Sequence, residues 1–301
     1  MLQNNPAVAK ISKSLVGKIL RELKKVSEKN TDGYKSFWKE YGAVLKEGLY
    51  EDAERKEALL DLCRFSTNEN DDPISLSGYV EKMPEKQKDI YYISAETKDQ
   101  ALASPHLEGF KSKKIPVLIM TDAIDQFWLP MVGSFKEKKF TSITQGQINL
   151  DDLDEKNKDK KKDDKNEKEK KDKEYVDLVA QLKVVLGDQV KDIRLSSKLT
   201  DSPVCLVADE GDMDIAMEQL MAQRDTNYKG APRILEINGD HSLIKNMKSL
   251  LSKKENNDLV SDAGTLLFEQ ARLMEGKMPA DPAQFSNCLL YTSDAADDDT
   301  R

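Results

Sequence analysis

Apolar residues recur at Val8, Ile11, Leu15, Ile19, Leu23 and Val26, in steps of three and four that place them on one side of a helix. This spacing predicts a long amphipathic helix over 8–26. A second helix over 34–44 has Phe37, Trp38 and Tyr41 on or near one face, and a third over 52–65 stops at Ser66-Thr67-Asn68. Together they predict a helical coil spanning 1–82. After Met83-Pro84 the period changes: Ile90-Tyr91-Tyr92-Ile93 is β-rich, and Ile115-Pro116-Val117-Leu118-Ile119-Met120 is continuously apolar, as expected of buried strands. Two short helices are expected between them, the second with Ser104 as N-cap and Pro105 at its first position, which implies parallel strand pairing. A helix over 121–132 and a strand over 140–143 complete a small three-layer αβα subdomain over 83–149.

The α/β pattern returns further on. Helices are expected over 175–186, 212–223, 241–251 and 258–274, and strands over 190–195, 204–208 and 233–237. Pro279 and Pro282 set off a last short helix from Ala283. The class is therefore α/β (α+β): a helical coil and small subdomain, then a second small α/β domain over 175–289.

Charge marks the boundary between them. In 151–174, 11 residues are acidic and 10 basic out of 24, so the segment cannot build a core, and 150–174 reads as a solvated linker. From 290 the chain loses apolar periodicity and reads as an appended, non-native tail over 290–301. A net charge of −8 opposes a nucleic-acid backbone as ligand, and no apolar run reaches the length of a membrane span. Three widely spaced cysteines, Cys63, Cys205 and Cys288, form no disulfide framework or metal pair, which fits a reducing, cytoplasmic location.

Catalytic groups are scarce. His106 and His241, the two histidines, read as structural surface residues beside helix starts. Neither GxxxxGK[ST] nor GxGxxG occurs. The run Asp209-Glu210-Gly211-Asp212-Met213-Asp214 is loosely similar to a calcium loop but lacks its sixth-position glycine and twelfth-position glutamate, so Asp212 reads as a helix N-cap and no metal site is expected. Two features read as surfaces. Met213, Met217, Leu220 and Met221 recur at helical spacing; on spacing alone core packing is the favoured reading, and a deformable thioether surface is the other. Phe127-Trp128 sits in a short helix too crowded with large apolar groups to turn them all inward.

Several strings resemble the heat-shock-protein-ninety chaperone family, bacterial type. They are Y-K-S-F-W-K-E-Y-G-A-V-L-K-E-G from Tyr34, L-C-R-F-S-T from Leu62, Ile90-Tyr91-Tyr92-Ile93 and Ser104-Pro105-His106-Leu107-Glu108. They continue with Val117-Leu118-Ile119-Met120-Thr121-Asp122, Leu186-Gly187-Asp188-Gln189-Val190-Lys191-Asp192 and Leu199-Thr200-Asp201-Ser202-Pro203. The resemblance implies an ATP-driven homodimeric clamp with nucleotide-binding, middle and C-terminal dimerisation domains. This chain resembles the C-terminal part of the middle domain plus the dimerisation domain. It further implies that Gln3 is a remnant of the ATP-contacting loop, that ATP with magnesium is used in the full-length family, and that this chain holds no cofactor and lacks ATPase activity alone.

The resemblance also implies that the methionine helix and Phe127-Trp128 contact non-native client proteins. It places Leu259, Leu266, Leu267, Ala271, Met274 and Phe285 in dimerisation helices, with self-association weakened because the last helix departs from the family at Cys288. The expected function is a stress-response chaperone module with non-native proteins and a second copy as partners, and neither nucleic acid nor membrane. The rivals are a free-standing α/β enzyme or ATPase with an unrecognised site, and a structural coiled-coil protein, against which the strands speak.

Overall fold

A computed structural model describes residues 6–153, 170–225, 228, 230–252, 256–279, 281–283 and 285–286. Gln3, most of the charged linker, Cys288 and the tail lie outside these residues. The chain is an α/β protein that divides into two compact units, 1–102 with 115–141 and 103–114 with 142–301.

In chain order the first unit contains α1 (Pro6–Lys29), α2 (Thr31–Glu51), α3 (Lys56–Leu62), β1 (Arg64–Thr67), β2 (Ile74–Ser75), α4 (Leu76–Lys82), β3 (Ile90–Ser94) and α5 (Lys98–Leu102). Helix α6 (Glu108–Ser112) belongs to the second unit, and the first resumes with β4 (Leu118–Met120), α7 (Asp125–Val132), β5 (Ser134–Phe135) and β6 (Lys138–Ser142). The Asn30 side chain accepts from the Gly33 N–H at 3.0 Å, and Ser75 Oγ accepts from the Gly78 N–H at 3.1 Å, which caps α2 and α4. The strands form one mixed sheet of order β2-β1-β4-β3-β6-β5. Strands β3 and β4 pair in parallel, Tyr92 beside Leu118, as the strand–helix–strand pattern predicts.

Two boundaries depart from expectation. The third helix ends at Leu62, because Cys63 adopts extended backbone (φ −62°, ψ 144°), and Arg64–Thr67 becomes a strand pairing antiparallel with both β2 and β4. The expected helical coil therefore contributes strands to the sheet, and a division at 82/83 falls inside one compact unit. The stripe of α1 is also turned outward: Val8, Ile11, Leu15, Ile19 and Val26 are exposed, while Leu20 is buried and Leu23 packs beside it in the core.

The second unit contains, besides α6, α8 (Val176–Leu186), β7 (Val190–Leu195), β8 (Val204–Val207), α9 (Ile215–Arg224), β9 (Arg233–Ile237), α10 (Ser242–Leu251) and α11 (Asn257–Met274). Its sheet has the order β7-β9-β8, with β9 parallel to β7 and antiparallel to β8. Every residue of β8 and β9 is buried, so both faces of these strands are covered. Leu178, Leu182 and Leu186 of α8 share a core with Val260, Leu267, Phe268 and Ala271 of α11. The helices approach closely at Gly264, where a Cβ would lie 2.3 Å from Leu182 Cδ2. No helix among the described residues is long and apolar enough to cross a membrane.

Candidate functional site: an apolar helix face in the second unit

Helix α9 starts three residues later than expected, and its cap is Asp214 rather than Asp212. Asp214 Oδ1 accepts from the Ala216 N–H at 2.9 Å, while Oδ2 accepts from the Ser142 hydroxyl at 2.5 Å and the Thr144 hydroxyl at 3.0 Å. The preceding loop is tied down as well. The Gln145 amide donates to the carbonyl of Asp212 at 2.7 Å, and Lys191 lies 2.8 Å from Asp209 and 3.0 Å from Asp212. Its hydrogen bond to Lys191 holds the Asp209 carboxyl below its usual range. The acidic run thus serves as cap and ion-pair partner, and no group of potential metal ligands gathers among the described residues.

This framing leaves the thioether stripe at the surface. Met213 lies just ahead of α9 and is 40% exposed, and Met217, Leu220 and Met221 are half-buried. The buried side of the helix is formed by Ile215 and Glu218. Packing of the whole stripe into the core, the reading favoured by spacing alone, is not what the fold does.

The aromatic pair in the first unit separates. Trp128 has no exposed surface: its indole N–H donates to Asp125 Oδ1 at 2.7 Å, and its ring meets Phe140 edge-on at 5.6 Å. It is a core residue and not a contact surface. Phe127 is half-buried and stands edge-on to Tyr50 at 6.3 Å, with Tyr50 and Met131 exposed in the same unit. Tyr50 escaped sequence reasoning because it meets Phe127, 77 positions further along the chain, only once α2 and α7 pack together.

Helix α11 splits its expected dimerisation residues between two faces. Leu267 and Ala271 are buried in the unit's own core and cannot meet a partner. Leu259 and Met274 are exposed, as is Leu273, while Leu266 is half-buried. Leu259, Leu266 and Leu273 are spaced by seven, the repeat of a helix–helix seam. Phe285, beyond α11, is half-buried.

Three of the four described cysteines and histidines are buried. Cys63 and Cys205 are buried, and burial pushes the Cys63 thiol up to about 12 and raises that of Cys205 as well. His106, expected at the surface, is buried, and burial with the Lys198 charge nearby brings its pKa down to about 3. His241 N-caps α10 by accepting from the Leu243 N–H at 3.2 Å.

Among the described residues, the candidate features of this α/β chain lie on or beside helices. Comparison with known proteins then supplies its family. The profile of the Hsp90 protein family matches residues 1–293, so the chain belongs to the Hsp90 family. That match spans both compact units and extends into the stretch expected to be unrelated from 290. The chain is 43% identical over 298 residues to "Chaperone protein HtpG" of Roseobacter denitrificans, covering 98% of this chain and 47% of that protein. It is 42% identical over 290 residues to the protein of that name from Paramagnetospirillum magneticum, covering 96% and 46%. For Wolbachia pipientis wMel the identity is 38% over 298 residues, with 96% and 45% covered. The chain thus spans somewhat less than half the length of these curated relatives.

Proposed function

We propose that this chain is the client-holding and self-associating part of an Hsp90-type chaperone acting in the cytoplasm, corresponding to the C-terminal part of a middle domain followed by a dimerisation domain. The observation that carries the reading is the face of α9 with the residue ahead of its cap: Met217, Leu220 and Met221 on the helix and Met213 just before it reach the surface, and Asp214 fixes where the helix starts. A flexible, polarisable surface suits partly folded chains, because it gains from apolar contact without requiring one hydrogen-bond pattern. The name "Chaperone protein HtpG" carried by its relatives supports the same reading. Phe127 and its neighbour Tyr50 are a second client contact in this proposal, and Leu259, Leu266, Leu273 and Met274 form the self-association seam, with Phe285 beside it. ATP with magnesium belongs, in this reading, to parts of the family outside the segment matched here.

Replacing Met217→Glu and Met221→Glu together is expected to reduce suppression of aggregation of a chemically unfolded test protein while leaving the circular dichroism and thermal midpoint unchanged. Undiminished suppression by the folded variant would remove α9 from the proposal. Calorimetric titration with magnesium-ATP is expected to give no saturable micromolar binding, and such binding would restore the rival reading of a free-standing ATPase.

A further inference from the structure

Beneath the thioether face lies a group of charges, with Glu218 and Arg233 buried and Lys277 half-buried. Glu218, on the inner side of α9, is 2.7 Å from Arg233 Nη2 and 3.3 Å from Lys277 Nζ, and it accepts from the Ala231 N–H at 3.3 Å. Arg233 Nη1 donates to the Met213 carbonyl at 3.2 Å, so one guanidinium at the start of β9 holds both the approach to α9 and its middle. One residue on, the Gln219 side chain donates to the backbone carbonyl of Glu275 at 2.7 Å, and Glu275 is the residue that ends α11. The candidate client helix and the end of the candidate dimerisation helix are thereby joined.

Glu275 is the unbalanced member. Both carboxyl oxygens are enclosed, and the Lys277 ammonium, 3.5 Å away, is their one close partner among the described residues. The groups that face it are Lys277 after α11, Arg233 of β9, Glu218 of α9 and, in β8, the buried thiol of Cys205. Burial raises the Glu275 carboxyl above its usual range. Lys277 and Arg233 pull it back, and Glu218 adds to the rise. Ionised, Glu275 competes with Glu218 for the Lys277 ammonium and places a carboxylate with no second close partner in the interior, the costlier arrangement. Protonated, it leaves Lys277 to Glu218.

We propose that Glu275 is a proton-controlled latch on α9: protonated, it keeps the end of α11 bonded to Gln219, and ionised, it turns toward water and lets α9 and its thioether face loosen. The latch rests on the reading of α9 as the client surface, but its test involves no client. Because the carboxyl is raised in the docked form, that form binds more protons than the opened one. Docking is therefore strongest at low pH and weakens as pH rises through the docked-state value.

Hydrogen exchange of the whole chain, corrected for intrinsic rates, reads the opening of 215–224 directly. Protection there is expected to fall as pH rises through the raised value of Glu275, by about tenfold for each unit separating the docked and opened pKa values. Glu275→Gln is expected to keep high protection at every pH. PH-independent protection in the parent chain, or an unchanged fall in the variant, overturns the latch. Should Glu275→Gln not fold, Lys277→Gln serves: with the cation gone the fall is expected to move to higher pH, and no movement, or movement to lower pH, refutes the proposal. Loss of the client reading would appear separately, as undiminished aggregation suppression by the Met217→Glu/Met221→Glu variant.

Discussion

Replacing Lys46→Met tests how the first unit is held together around Trp128. The Lys46 ammonium is buried, 2.7 Å from Asp122 Oδ2 and 2.9 Å from Asp125 Oδ2, and 5.0 Å from the centre of the Phe65 ring. Asp125 is wholly buried and keeps, without Lys46, only the Trp128 indole at 2.7 Å and the Asp122 N–H at 3.2 Å. Methionine fills the stem's volume but leaves the carboxylate uncompensated, a loss of about 3–5 kcal/mol for a broken buried pair. Burial already raises the Asp125 carboxyl, against the pull of Lys46, so removing the lysine raises it further. A raised carboxyl binds more protons in the native state, and the variant therefore regains stability as pH falls, by at most about 1.4 kcal/mol per unit. The assay is urea unfolding followed by tryptophan fluorescence at pH 5 and pH 8. Both tryptophans, Trp38 and Trp128, belong to the first unit, so the signal reports that unit alone. A deficit below about 1 kcal/mol at pH 8, or one equal at both pH values, would refute the reasoning.

In the second unit, Glu108 accepts from the N–H groups of Thr200 at 2.8 Å, Asp201 at 2.9 Å and Ser202 at 3.1 Å, and from the Ser202 hydroxyl at 2.5 Å. Glu108→Ala is expected to cost about 1–3 kcal/mol in chemical denaturation. These bonds hold its pKa below the usual value despite the opposing effect of burial. Its contribution is accordingly lost as pH falls through that lowered value, and a variant with unchanged acid stability would count against the anchor. On α11 the two faces should respond differently. Leu259→Glu with Leu273→Glu is expected to shift sedimentation toward monomer at an unchanged thermal midpoint, whereas Leu267→Glu lowers the midpoint itself.

Much of the second unit was legible because its strands hold short clusters of Val, Ile and Leu: 190–195 and 233–237 coincide with β7 and β9, although Lys191, Asp192, Arg194, Arg233 and Glu236 interrupt them. The failures have local causes. β1 follows a helix with no proline or glycine between them, and its strand identity comes from pairing with β2 and β4, which lie 7 or more residues further along the chain. The β5–β6 turn places Lys136 and Glu137 at positive φ (47° and 64°), a conformation ordinarily marked by Asn-Gly, so no turn signature was there to read. Spacing identified the thioether helix but could not say which of Phe127 and Trp128 points inward, since adjacent helical positions differ by only about 100°. The Glu218–Arg233–Lys277–Glu275 group was invisible because its members are separated along the chain and meet only once β9 and the end of α11 come beneath α9.

The allotment of 103–114 to the second unit has a practical consequence for dissecting the gene. A clone beginning at 142 would omit Leu107 and Phe110, both buried, together with the Glu108 carboxylate around which the 200–202 backbone is wrapped. Three amide hydrogens would lose their acceptor and the hydrophobic interior would lose two plugs, so a faithful isolated version must carry the earlier insert, spliced in or supplied as a separate peptide.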